Sequence, residues 1–254
     1  MPLSASRDAQ LAGARRGGLK VLPKSDPVRS RARFFGVLLV IACVTCPVLG
    51  AGAPGTATGI EIGKGEIGAP PAEFELSPSS KAKQASWTVV RDATAKTGVA
   101  IEQAGVKSAE DRFPLAIYKS ASLKNAEISL RLNAAGGNSN QGGGVAVRLS
   151  SPQDYYLVQL DALRDRILLS RVTNGVSEEI VGVDADIASR TWHTLTIRAK
   201  DDQFIVSLDG TWMFTAFDKT PSQAGRIALW TEGDSITQFD SIAFTPLPAS
   251  EERY

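Results

Sequence analysis

From Phe74 onward, apolar residues fall at every second position in short runs, and Gly, Asn and Asp break the runs at regular intervals. A period of two is the mark of a strand with one buried face. Many short strands between turn residues predict an antiparallel sandwich or barrel. The candidate strands are Trp87–Arg91, Val99–Gln103, Leu115–Lys119, Ala126–Leu132, Gly144–Leu149, Tyr155–Asp161, Arg166–Val172, Val176–Val181, Thr191–Lys200, Phe204–Leu208, Trp212–Phe217, Arg226–Thr231 and Ile236–Phe244. Asn174-Gly175 and Asp209-Gly210 predict tight hairpin turns, because both residues of each pair accept a positive φ.

The alternation also assigns faces. Ile128, Leu130 and Leu132 point to the core, with Glu127, Ser129 and Arg131 opposite. Val145, Val147 and Leu149 point inward and Arg148 outward. Tyr156, Val158 and Leu160 point inward, while Tyr155, Gln159 and Asp161 point outward. Ile227, Leu229 and Thr231 share one face, and Arg226, Trp230 and Glu232 share the other.

Ahead of this region the chain divides differently. Residues 1–33 hold 8 Lys/Arg and 2 Asp/Glu of the 28 and 27 in the chain, leaving 20 and 25 for the rest. Phe34–Leu49 is mostly apolar, and the small residues Gly50–Ala53 follow. A basic segment, an apolar run and a small-residue exit predict a secretory signal over residues 1–53, hence an exported protein, periplasmic or secreted. Val40-Ile41-Ala42-Cys43 has lipobox spacing, so lipidation at Cys43 and a retained membrane anchor are the alternatives to simple cleavage. Residues 54–72, rich in Gly, Ala and Pro, read as a linker. Residues 73–246 form the sandwich, and residues 247–254 a polar tail. With its mildly acidic balance, the sandwich lacks the basic face that nucleic acid requires.

Three groups of residues then look familiar together: Gln141-Gly142-Gly143-Gly144 with Asp154-Tyr155-Tyr156; Trp192-His193-Thr194-Leu195 with Ser207-Leu208-Asp209-Gly210; and Ala224-Gly225-Arg226-Ile227-Ala228-Leu229-Trp230-Thr231-Glu232-Gly233-Asp234 with Phe239-Asp240. This order resembles the concanavalin A-like lectin/glucanase superfamily, whose laminin-G-like members share a jelly-roll sandwich. Within it, the chain is most similar to a bacterial group named for 3-keto-disaccharide hydrolase. The resemblance implies an all-β, curved sandwich whose concave face takes carbohydrate, with glycoside hydrolysis as the alternative activity. It implies structural calcium as well, for which Asp240 is the candidate ligand, and no other cofactor. Relatives commonly carry a basic residue and an Asn where Gln159 and Asp161 stand. They often carry Lys at the position of Glu232 and a second acidic residue where Ser241 follows Asp240.

Sugar binding needs an aromatic face for C–H groups and planar polar groups for hydroxyls. Arg148, Tyr155, Gln159, Asp161, Trp230, Glu232 and Asp234 supply that mixture, and alternation places most of them off the core. The competing reading packs Trp230 under a loop and pairs Arg148 with Asp161 across strands. Hydrolysis needs two carboxylates flanking one bond, and Glu127, Asp161, Glu232 and Asp234 are the candidates. None of them lies in the closely spaced Glu/Asp strand motif of the sandwich glucanases. His193 is the single histidine, so a multi-histidine zinc centre is excluded and a packed strand histidine is expected. A carbohydrate-binding module is therefore the leading expectation, ahead of a glycoside hydrolase and of an envelope module that binds protein.

Overall fold

A computed structural model describes residues 55–62, 65–77, 86–104 and 113–250. The export segment, with Cys43 and the rest of residues 1–54, lies outside them, as do residues 251–254. The described residues form two antiparallel sheets. The strands are β1 (Thr58–Gly59), β2 (Phe74–Ser77), β3 (Ser86–Arg91), β4 (Val99–Ala104), β5 (Leu115–Tyr118), β6 (Ala126–Gly136), β7 (Gly142–Ser151) and β8 (Asp154–Asp161). They continue as β9 (Arg166–Thr173), β10 (Val176–Asp184), β11 (Trp192–Lys200), β12 (Gln203–Leu208), β13 (Thr211–Phe217), β14 (Arg226–Thr231) and β15 (Ile236–Pro246). One sheet runs β13-β12-β11-β6-β15-β4-β3, with β1 added beside β15, and the other runs β10-β9-β8-β7-β14-β5-β2. This is the jelly-roll sandwich that the alternation and turn spacing predict.

The inner faces meet in one core. Ile128, Leu130, Leu132, Leu195, Ile197 and Phe204 come from the first sheet, and Val145, Val158, Leu160, Ile167, Ile227 and Leu229 from the second. Both hairpins form as expected. Asn174 and Gly175 have φ of 51° and 76°, and Asp209 and Gly210 have 50° and 77°. Positive φ at both central residues matches the right-handed twist of the strands on either side.

Two readings of the chain change. The Gly/Ala/Pro-rich stretch is not all spacer: Thr58 and Gly59 pair with Phe244 and Ala243. Beyond that bridge Ile60 and Ile62 are buried in the core, an alternating apolar pair that a composition-based reading passes over. The second change is at Arg148. The ladders on both sides of β7 slip there, between Val147 and Ser151 against β8 and between Arg226 and Ala228 against β14. Arg148 itself has a φ of 53°. This bulge inserts a residue and inverts the faces beyond it. Val147 is in the inner core, whereas Leu149 belongs to a second apolar cluster on the far side of the sheet.

Candidate functional site

That second cluster is the floor of a groove. The outward face of the β2–β10 sheet carries Leu115, Ile117, Ala146, Tyr155, Leu157, Val172, Ala228 and Trp230, all buried. An outer sheet face normally alternates to polar residues; this one is apolar at its centre. Register explains its depth. Gly144 pairs with Gln159 of β8 and with Trp230 of β14, and Ala146 pairs with Leu157 and Ala228. Since directly paired residues share a face, β7 contributes only small residues between the larger side chains of β8 and β14. At Gly144 any Cβ would run into the β8 backbone at Val158 and Gln159, so this position takes glycine for close strand approach.

The resulting cavity is about 480 Å³ and is lined by Phe113, Tyr155, Leu157, Trp230, Gln159 and Glu232, with Ser77, Gln153 and Ser177 among the polar residues at its margin. A concave, mostly apolar site with a few polar groups is the general form of a small-ligand pocket. Phe113 stacks on Trp230 with centroids 5.8 Å apart and planes 17° from parallel. Trp230 is only 3% exposed and Phe113 is 36% exposed. The aromatic surface offered to a ligand is therefore chiefly that of Phe113, with Trp230 as the packed layer beneath it. Burial pushes the Tyr155 phenol up to about 12, and the neighbouring Trp230 indole acts weakly the other way. The indole N–H lies close to that hydroxyl without forming a well-aligned hydrogen bond. Tyr155 is thus a neutral hydroxyl against an apolar wall.

Of the seven expected ligand-binding residues, Tyr155, Gln159, Trp230 and Glu232 converge on this groove. Asp161 lies just beyond it, in a small adjoining cleft that Gln159, Trp230 and Glu232 also line. Its carboxylate is occupied: Oδ1 accepts the Leu163 and Arg164 backbone N–H groups at 3.1 Å, and Oδ2 pairs with the Arg164 guanidinium at 2.6 Å. It shapes the β8–β9 turn as an Asx-type cap.

Asp234 is also committed to backbone. Its two oxygens accept the Asn138, Ser139 and Asn140 N–H groups at 2.8–3.3 Å. Those amides, the Ser139 and Asn138 contributions first, hold its carboxyl well down from 3.8 to about 2. A depressed folded value stabilises the protein above the unfolded value, and that stabilisation is lost as pH falls through the folded value. Acid titration of the fold is therefore expected to lose stability progressively from about pH 4 to about pH 2 through this residue. Asp234→Asn should flatten that part of a stability–pH curve while lowering stability at neutral pH. Equal slopes for both proteins between those pH values would contradict this role.

Arg148 is the expected ligand residue that the structure takes elsewhere. The bulge turns it to the inter-sheet end of the sandwich, where it is 6% exposed. Its guanidinium donates to Lys124 O at 2.7 Å, Ser222 Oγ at 2.8 Å and Asp201 O at 2.8 Å. It lies over the Phe204 and Tyr156 rings at 5.0 and 5.9 Å. It makes no ion pair with Asp161, whose partner is Arg164.

The candidate acids are dispersed as well. Glu127 sits on β6 of the opposite sheet and pairs with Arg198 at 3.6 Å. Only Asp161 and Glu232 share a cleft. Asp240, the candidate calcium ligand, is 1% exposed. One of its oxygens accepts the Lys96 N–H at 2.7 Å and pairs with Arg131 at 2.9 Å. Among the described residues no cluster of three or more His, Cys, Asp or Glu surrounds it. A carboxylate turned toward a guanidinium and an amide does not fit a cation's donor shell, which takes six to eight oxygens for calcium. His193 is a packed strand residue, with Nδ1 2.7 Å from Asp209 Oδ2 and Nε2 3.1 Å from Ala188 O.

Residues 115–246, from β5 to the end of β15, match the model of the galactocerebrosidase C-terminal lectin domain. The chain belongs to this lectin-domain family. Among solved structures the lectin domain is similar to the carbohydrate-binding module CBM66 of Bacillus subtilis, at 19% identity and a TM-score of 0.53, over 67% of this chain and 95% of that one. It is similar to a Shewanella oneidensis MR-1 protein of unknown function, at 13% identity and a TM-score of 0.50, over 79% and 90%. A galectin-like protein of unknown function from Bacillus subtilis gives 6% identity and a TM-score of 0.50, over 69% and 91%. At such identities the likeness is one of fold. No curated protein matches the chain. The lectin domain's groove involves residues that alternation alone does not single out. Phe113, Leu157, Gln153 and Ser177 reach it through register and turns.

Proposed function

We propose that the lectin domain is an exported, carbohydrate-binding module that takes a glycan in the groove over Gly144 and Ala146. The observation that carries this reading is the combination of an apolar floor, the exposed Phe113 ring and the amide and carboxylate of Gln159 and Glu232 in one cavity. A sugar ring can lay its C–H face on Phe113 and turn its hydroxyls to the polar margin. Membership of a lectin-domain family and the fold shared with a carbohydrate-binding module support the same reading.

The test is a glycan array followed by calorimetric titration of the best neutral binder. Phe113→Ala is expected to weaken binding about tenfold with little change in melting temperature, because the ring is partly exposed. Unchanged affinity in that variant would remove the ring from the site. Hydrolysis of a 3-keto-disaccharide or another glycoside is the alternative reading. It would have to use Asp161 and Glu232, the one candidate couple that shares a cleft, and Asp161 would first have to leave Arg164 and the turn amides.

A further inference from the structure

The charges on the outward face of the β2–β10 sheet are arranged unevenly around the groove. Its cations are each held by a carboxylate: Arg164 by Asp161 at 2.6 Å, Arg166 by Glu179 at 3.1 Å and Arg226 by Glu75 at 2.6 Å. Among the described residues lining the main cavity, Glu232 is the charged side chain, and no Lys or Arg lines it. An anionic sugar placed there would bring its carboxylate or sulfate toward Glu232 with the nearby guanidinium groups already engaged. Like charges at close range in a partly desolvated site oppose binding. An ammonium group would meet the reverse situation.

We propose that the groove selects sugars by charge, favouring those with a free amine, accepting neutral ones and rejecting uronates and sulfated sugars, with Glu232 as the selecting residue. The inference rests on the groove being the glycan site. Specificity of this kind is a difference between two affinities, and repulsion contributes to it as much as attraction does.

The experiment titrates the full chain with three versions of whichever neutral oligosaccharide binds it: the parent, its 2-amino-2-deoxy analogue and its uronate analogue. The wild-type protein is expected to bind the amine about fivefold tighter than the parent and the uronate more weakly than the parent. Salt should shrink both differences. Glu232→Gln should bring the three affinities together while leaving the parent's affinity nearly unchanged. If Glu232→Gln keeps the wild-type order, or if the uronate binds wild type as tightly as the parent, charge selection by Glu232 is wrong and glycan binding stands. If no neutral, amino or acidic glycan binds the wild-type chain, the groove is not a glycan site and both readings fall together.

Discussion

Replacing Arg148 with alanine is expected to cost about 3–4 kcal/mol of folding stability, from the loss of hydrogen bonds to a charged group and the burial of their acceptors. The guanidinium ties three separate connections at one end of the sandwich: the segment before β6 through Lys124 O, the β11–β12 turn through Asp201 O and the β13–β14 loop through Ser222. Removing it leaves buried acceptors without donors and opens space beside Phe204 and Tyr156. Alanine at a φ of 53° would be strained in addition. Urea denaturation should show a lower midpoint with an unchanged slope. Arg148→Lys should recover only part of the loss, because one ammonium cannot serve three diverging acceptors. A loss below about 1 kcal/mol in the alanine variant would contradict this account, since that is the scale of a surface contact. The folded fraction of the variant should keep its glycan affinity, as Arg148 is not in the groove.

The second large effect is at Trp230. Trp230→Ala is expected to cost about 3–5 kcal/mol, the range for deleting a buried aromatic side chain. Trp230 pairs with Gly144 on one side and Leu115 on the other, and it supports the exposed Phe113 ring from below. Its removal empties the layer between these residues and leaves Phe113 without a stacking partner. Loss of stability and loss of binding should therefore appear together. Trp230→Phe, which keeps an aromatic floor, should retain binding at a smaller cost in stability. By contrast Phe113→Ala should separate the two properties, lowering affinity in a stable protein. An alanine variant at Trp230 as stable as wild type would mean that this indole is a surface platform and not a packed layer.

Much of the fold is legible in the residue pattern because its cause is local. The alternation of Ile128, Leu130 and Leu132 survives in the core, and Asn174-Gly175 and Asp209-Gly210 make their turns. The outward placement of Tyr155, Gln159 and Trp230 follows from the same period. The failure at Arg148 has a different origin. A bulge at a non-glycine residue is fixed by acceptors in three distant connections, none of which leaves a mark in the run from Val145 to Leu149. Asp161 did carry a local signal, an Asp placed two and three residues before the amides it caps, and that pattern points to a turn before it points to a sugar. Phe113 shows the remaining limit. Its partner Trp230 is distant in the chain, and only the pairing of β5 with β14 brings the two together.

The chain's four tryptophans allow the central claim to be measured residue by residue. Trp87 is in the core on β3, Trp192 and Trp212 are on β11 and β13 of the opposite sheet, and Trp230 lies beneath the groove. Their indole N–H resonances can be followed by heteronuclear NMR during titration with the neutral oligosaccharide that binds best. A glycan in the groove predicts a saturable shift of the Trp230 signal, with Trp192 and Trp212 unmoved, and a weaker apparent affinity in Phe113→Ala. A saturable shift of Trp212 or Trp192 with Trp230 unmoved would place the glycan on the other sheet and contradict the account.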